Sequence, residues 1–196
     1  VFNGHNIVAE NGALLAEHMV YGGKAFAVER VREGSAVALL TEGLLVSEPA
    51  VEGAVFSQMA NATDFSDPVT VLYGHNIVND AMFATLHAYE DPAFFADNPE
   101  LYVYLPDRIL AYEVVAAYEY DDRHILNSFD FADPAVREAY FASVLAPDDP
   151  QANVRDGAQL DADDRIVQLS TCRSALTSDP VRYIVTAVLV GEKPAA

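Results

Sequence analysis

Apolar and polar positions alternate through several segments of this chain in the way that β-strands require. The clearest such segment is residues 166–172, whose even-numbered side chains would share one partly polar face: Ile166, Gln168, Ser170 and Cys172. Further strands are predicted at residues 25–31, 36–46, 53–59, 69–73, 101–105, 109–120 and 181–190.

Helical periodicity is confined to short segments. Residues 134–145 form the clearest helix, because an Asp-Pro pair precedes them and three apolar side chains recur at four-residue steps: Val136, Tyr140 and Val144. Asp91-Pro92 and Asn79-Asp80 predict the starts of two more short helices, and residues 11–20 are predicted to form a fourth. Seven or eight strands with one inserted helix favour a mainly β barrel or rolled sheet.

Composition narrows the classes of protein and partner. The 196 residues suit one globular domain with a substantial core, because 52% of them are apolar. The 30 acidic and 11 basic residues give a net charge of −19, which excludes nucleic acid and anionic membrane surfaces as partners. A solvated acidic surface is favoured over an acidic ligand site. The single cysteine excludes an internal disulfide.

Metal and cofactor sites are not predicted. None of the five histidines has metal-ligand spacing to another His, Cys or carboxylate cluster, and the acidic run at 161–164 is predicted to be a solvated loop. His18, His87 and His124 are predicted to be helix-face or surface residues. His5 belongs to an octapeptide at residues 1–8 that matches residues 71–78 at six positions, but too few residues precede it for a strand to present it.

Three residues form a chemically complete set if the sheet closes. Cys172 ends one predicted strand, and Arg182, ten positions later, lies on the next, so an antiparallel return can place them side by side. His75 follows another strand, after a glycine that lets the backbone bend. A thiolate attacks carbonyls, a guanidinium stabilises an oxyanion, and an imidazole transfers protons. A lone cysteine, taken by itself, is more often a small buried apolar residue.

Several motifs resemble those of the sortases, cysteine transpeptidases of Gram-positive cell surfaces, and of class B in particular. The Leu-Ser-Thr-Cys motif at 169–172, followed by Arg182, is similar to the cysteine and arginine signature of the family. The segment Val-Leu-Tyr-Gly-His-Asn at 71–76 is similar to its histidine motif. The helix at 134–145 resembles the long helix that class B places before the cysteine strand.

The resemblance implies a fold, a reaction and a site. The fold would be a closed seven- to eight-stranded sortase-type β-barrel with short helices. Cys172 would cleave a sorting-signal peptide after its threonine and hold it as a thioacyl enzyme, with His75 as general acid and base and Arg182 binding substrate and stabilising the oxyanion. The acceptor would be an amine of a peptidoglycan precursor, or a pilin lysine. Substrate contacts would come from three further residues: Ser170, Thr171 and Asn76.

The resemblance divides the chain into two parts of one domain. Residues 53–196 would form the catalytic barrel, and residues 1–52 would form a helix and poorly matching strands that pack on this barrel. Because residues 1–52 lack the Gly-Trp-Ile and Asp-Tyr-Pro-Val strand signals of the family, a catalytically impaired peptide-binding domain is the alternative. A papain-like hydrolase is a third, although its cysteine would begin a helix. The resemblance also implies an extracytoplasmic protein, and because no apolar run of 18 residues occurs, a membrane anchor would lie upstream of Val1.

Overall fold

The architecture is mainly β, as predicted. The structure, a computed structural model, describes residues 55–77, 81–174 and 180–194 together with the backbone of four short strands within residues 7–25. The strands are β1 (Ile7–Glu10), β2 (Ala13–Ala16), β3 (Met19–Val20), β4 (Lys24–Ala25), β5 (Phe56–Ser57), β6 (Val69–Tyr73), β7 (Asn76–Ile77), β8 (Ala81–Met82), β9 (Glu100–Tyr104), β10 (Arg108–Asp121), β11 (Asn153–Val154), β12 (Ile166–Cys172) and β13 (Val181–Pro194). The helices are a 3-10 helix (Phe83–Glu90), α1 (Pro92–Asp97), α2 (Ile125–Ser128) and α3 (Pro134–Leu145).

Seven strands form one sheet in the order β11-β10-β13-β12-β6-β5, with β9 paired to β10. The strand β12 lies between β13, to which it is antiparallel, and β6, to which it is parallel. The long strands β10 and β13 are antiparallel. Their pairing begins at Arg108 with Pro194 and ends at Asp121 with Val181. The C-terminal end of β12 therefore lies beside the C-terminal end of β6 and the N-terminal end of β13.

Both faces of the sheet bury apolar side chains. Along β12 the alternation is complete, because Val167 and Leu169 enter one cluster while Ile166 enters the other. The second cluster is covered by α2 and α3, which contribute four buried side chains: Ile125, Tyr140, Phe141 and Val144. Cys172 has the same parity as Ile166, so its side chain leaves β12 on the face that these helices cover.

Two helix starts follow from Asp-Pro pairs, as predicted. The Asp91 side chain accepts hydrogen bonds from the backbone N–H groups of Ala93 (2.7 Å) and Phe94 (3.4 Å), and Asp133 accepts one from Ala135 (2.9 Å). The predicted helix at 134–145 is confirmed with its bounds, although Val136 is only half-buried and Phe141 joins the buried side. Among the helices of the described residues, none is both long and apolar enough to cross a membrane.

The predicted helix at residues 11–20 is wrong. Strands β1 and β2 form a hairpin that pairs Glu10 with Ala13, and β3 follows, so only the dipeptide Asn11-Gly12 connects the first two strands. Asn-Gly is the sequence most favoured in a two-residue hairpin turn, and this local signal prevails over the apolar spacing. The predicted strand at 53–59 is reduced to β5. The strand at 36–46, most of the one at 25–31 and the helix start at 79–80 lie outside the described residues.

A buried amide ties α3 to the cysteine strand. Gln168 is fully buried, and its Oε1 accepts a hydrogen bond from the Tyr140 hydroxyl at 2.7 Å while its Nε2 donates to Thr186 Oγ1 at 3.0 Å. We expect Tyr140→Phe to lower the free energy of unfolding by about 1–3 kcal/mol, because the amide oxygen would then be buried without a donor. Urea unfolding measures this, with Tyr102→Phe as the control, since the Tyr102 hydroxyl bonds only at the surface. Equal losses in the two variants would contradict the role of this bond.

Candidate active site

Cys172 and Arg182 form the last residue pair of the ladder between β12 and β13. The ladder places Cys172 opposite Arg182, and the Arg182 guanidinium donates from Nη1 to Cys172 Sγ at 2.8 Å. Both side chains are half-buried, so a ligand can reach the sulfur. The prediction that a ten-residue return brings these two residues together is confirmed.

His75 lies just beyond the end of β6, the strand next to β12. The parallel ladder pairs Ser170 with Tyr73, and the Gly74 N–H donates to the Ser170 carbonyl at 3.0 Å. His75 therefore follows this last pair by two residues on one side, as Cys172 does on the other. The His75 side chain is exposed, and no hydrogen bond joins it to Cys172 in the part of the chain that the structure describes.

Gly74 serves close packing. A Cβ at this position would lie 2.6 Å from two ring carbons of Phe83, and its φ is not positive. The Phe83 N–H in turn donates to the His75 carbonyl at 3.0 Å. Glycine therefore allows the Phe83 ring to approach, and that contact together with the hydrogen bond fixes where His75 leaves the strand.

The three predicted substrate-binding residues have different environments. Asn76 is half-buried, and its Nδ2 donates to the Cys172 carbonyl at 3.0 Å, so it supports the backbone of the cysteine. Ser170 and Thr171 are 3% and 0% exposed, and among the described residues the Thr171 hydroxyl has no hydrogen-bond partner. Contact between substrate and any of the three stays a prediction.

His87 is the residue that the sequence prediction missed. It was predicted to be a surface or helix-face residue, but its Nε2 lies 3.1 Å from the Cys172 carbonyl oxygen, and its Nδ1 lies 2.5 Å from Glu90 Oε1. Its ring stacks on Tyr183 with 5.0 Å between the ring centroids. A single histidine on a short helix carries no sequence signal for these contacts, which depend on tertiary packing. His124, in contrast, lies at the start of α2 beside Gln58.

Tyr73 is a second addition to the site. Burial raises the pKa of its hydroxyl, and the nearby charge of Arg182 opposes that shift. In the part of the chain that the structure describes, the buried hydroxyl has no hydrogen-bond partner. It can therefore donate to a ligand that binds beside Arg182.

A groove of about 1020 Å³ opens on this face, between the end of β10 and α3. Tyr120 of β10, which pairs with Arg182 in the ladder, lines the groove together with Val181 of β13, so the groove reaches the strand next to that of the cysteine. Its lining includes aromatic and acidic side chains: Tyr118, Phe129, Tyr140, Glu119, Asp122 and Asp148. Among the described residues, no group of three His, Cys, Asp or Glu side chains could hold a metal ion.

Comparisons with known proteins agree with this geometry. A family model described as a sortase domain matches residues 37–190, sixteen residues earlier than the motif resemblance begins. Sortase B of Listeria monocytogenes is 28% identical over 150 residues, covering 74% of this chain and 57% of its own length. This chain therefore spans little more than half of that relative.

Solved structures give the same fold. Sortase B of Clostridium perfringens has a TM-score of 0.63 at 25% identity, covering 74% of this chain and 76% of its own. Sortase B from Bacillus anthracis, in complex with AAEK1, has a TM-score of 0.60 at 25% identity, covering 73% and 63%. A Staphylococcus aureus sortase B–substrate complex has 0.58 at 20% identity, covering 73% and 64%.

The fold is thus the predicted sortase-type β-barrel, with an inserted helix before the cysteine strand. The matched family model extends over more than half of the sequence and includes the three residues that the sequence singled out: His75, Cys172 and Arg182. The chain belongs to the sortase family, and the relatives that it resembles are class B sortases.

Proposed function

We propose that this chain is an extracytoplasmic cysteine transpeptidase that cleaves a sorting-signal peptide after threonine and transfers the acyl group to an amine. The observation that carries the proposal is the contact of 2.8 Å between Arg182 Nη1 and Cys172 Sγ. It supports a nucleophilic sulfur at the end of a strand with a fixed cation beside it. The class B relatives support the same reaction, and the S. aureus structure is a complex of sortase B with a substrate.

In the acylation step the Cys172 thiolate attacks the threonine carbonyl carbon and forms an S–C bond. The carbonyl oxygen becomes an oxyanion, which the Arg182 guanidinium stabilises. The C–N bond then breaks, and the leaving amine takes a proton from His75. The products are a thioester on Cys172 and the released C-terminal fragment of the peptide.

In the transfer step an acceptor amine attacks the thioester carbonyl. His75, now neutral, takes the proton that the amine loses, so the acid of the first step is the base of the second. The C–S bond breaks, and the thiolate is restored beside Arg182. The proposed acceptor is an amine of a cell-wall precursor or of a pilin, and water in its place gives the slower hydrolytic side reaction.

Replacing Arg182 by alanine should lower kcat/KM for peptide cleavage by about 10²–10³-fold, because the oxyanion loses its charged donor. Arg182→Lys should recover only part of this loss, since an ammonium lacks the planar fork of the guanidinium. Lys193→Ala, at the far exposed end of the same strand, is the control and should change the rate less than about twofold. A full rate in Arg182→Ala would remove this residue from the reaction.

The function is tested by chromatography of threonine-containing sorting peptides incubated with the protein, with and without an amine acceptor. The proposal expects an amide product that joins the peptide to the acceptor and that increases with amine concentration. The alternative is a peptide-binding domain without turnover. That domain would bind the peptide equally well before and after Cys172→Ala and would form no amide product in either case.

A further inference from the structure

The backbone carbonyl of Cys172 has an unusual set of partners. The parallel ladder between β12 and β6 ends at Ser170 and Tyr73, so the next carbonyl on that edge, that of Cys172, receives no backbone N–H from β6. A carbonyl that lacks its ladder partner needs another donor. Asn76 Nδ2, at 3.0 Å, and His87 Nε2, at 3.1 Å, both approach it.

Three contacts bear on which nitrogen of His87 carries a proton. Asn76 Nδ2 and His87 Nε2 lie 3.0 Å apart, so with the carbonyl oxygen they form a nearly equilateral triangle. The two N–H bonds of an amide diverge by about 120°, so Asn76 cannot donate well to both of the other atoms. A carbonyl oxygen has two lone pairs, so it accepts from both nitrogens when Nε2 of His87 is protonated.

The other ring nitrogen must also carry a proton. His87 Nδ1 lies 2.5 Å from Glu90 Oε1, and an ionised carboxylate only accepts. A neutral imidazole with its proton on Nδ1 can accept from Asn76, but its Nε2 lone pair would then face the carbonyl oxygen at 3.1 Å, whereas an imidazolium donates in both contacts. We infer that a cationic His87, held by Glu90 and stacked on Tyr183, tethers the Cys172 carbonyl and so positions the nucleophile. The catalytic importance of this inference rests on the proposed function, whereas the contacts from which it is drawn are independent of that function.

The tether acts on the peptide unit that follows the nucleophile. The Cys172 carbonyl and the Arg173 N–H belong to one planar group, and that N–H donates to the Val181 carbonyl at 3.3 Å on the opposite side. Fixing both ends restricts the backbone torsion ψ of Cys172, and with it the direction of the Cys172 side chain. His87 does not touch the reacting atoms, so it is a positioning residue.

The charges around His87 are largely acidic. Arg173, which follows β12, pairs with Glu119 of β10 at 3.3 Å. The pKa of the Tyr183 hydroxyl is raised by burial and, to a lesser degree, by three carboxylates near it: Glu90, Asp149 and Glu119. The other titratable groups on elements packed against the 3-10 helix include the Cys172 thiol, Arg182 and, on α1, Asp97.

The test compares His87→Gln and His87→Leu with wild type in the full chain. Glutamine can keep a donor near the position of Nε2 but cannot ionise, whereas leucine removes the donor. The first readout is the rate of alkylation of Cys172 by iodoacetamide from roughly pH 5 to 9, which spans the ordinary imidazole titration. Because His75 and Cys172 are present in all three proteins, the ratio of variant to wild-type rates reports the change at residue 87.

We expect the ratio for His87→Gln to rise with pH, because wild type loses its tether when the imidazolium deprotonates and the variant does not. His87→Leu should lower the rate about 10-fold at low pH and lower kcat more than KM. Glu90→Gln should shift the pH dependence, and Glu138→Gln, on an exposed position of α3, should leave it unchanged. A ratio for His87→Gln that is constant with pH would overturn the inference.

The two proposals can fail separately. Alkylation needs only the thiolate, so a protein that forms no thioester with any peptide would still show the pH-dependent ratio if His87 positions Cys172. Should His87→Leu fail to fold, as judged by its thermal unfolding, His87→Gln and Glu90→Gln carry the test alone. A protein that transfers acyl groups with an unchanged pH profile in both would retain its function and lose this inference.

Discussion

Replacing Cys172 by alanine is expected to lower acyl transfer by roughly 10⁴-fold or more, because no other group can form the acyl intermediate. Cys172 is the only cysteine of the chain, so thiol labelling disappears in the same variant. Its side chain is half-buried at a strand end, so we expect little change in the free energy of unfolding. The measurement is the initial rate of amide formation with saturating peptide and amine.

Peptide binding separates the roles of Cys172. The variant should retain the peptide affinity of wild type within a few-fold, since Arg182 and the groove beside it are unchanged. Transfer that continues at more than a small fraction of the wild-type rate would show that the acyl group is carried elsewhere. Cys172→Ser is a useful second variant, because it keeps the shape of the site and replaces the thiol by a weaker nucleophile.

Replacing His75 by glutamine is expected to lower kcat/KM by about 10²–10⁴-fold, because both the leaving amine and the acceptor amine lose their proton-transfer partner. The exposed position of His75, just beyond the end of β6, suits a group that must reach substrate atoms on both sides of the reaction. The measurement is the rate of peptide cleavage as a function of pH, where the variant should lose one limb of the wild-type profile.

The control for His75 is His124→Gln. His124 lies at the start of α2, where it contacts Gln58 and approaches Tyr73 with 6.4 Å between the ring centroids. We expect the rate and its pH profile to stay within about twofold of wild type. A wild-type profile in His75→Gln, or the larger loss in His124→Gln, would assign the general acid to a different histidine.

The sequence predicts the strands that present the nucleophile because local pattern and tertiary environment agree there. Residues 166–172 alternate, both faces are buried, and the predicted strand has the bounds of β12. The ten-residue spacing to Arg182 permits a single short return, and the register follows from burial on both sides. The pairing of Cys172 with Arg182 could therefore be predicted without knowing the fold of the rest of the chain.

The support around the nucleophile was not predictable. His87 contacts Cys172 only because the 3-10 helix packs against the ends of β12 and β13, and no spacing between these residues indicates it.

Apolar spacing at residues 11–20 is compatible with helix and hairpin, and the Asn11-Gly12 dipeptide decides between them. The glycine at 74 was linked to backbone bending, whereas the structure requires it for the approach of Phe83.

Mass spectrometry of the intact protein tests the central claim most directly. Wild type is incubated with a panel of threonine-containing sorting peptides and analysed before and after an amine is added. The account predicts an adduct with the mass of the acyl fragment that maps to Cys172, is absent from Cys172→Ala and disappears when the amine is added. No adduct with any peptide, while Cys172 still reacts with iodoacetamide, would contradict the assignment of a transpeptidase.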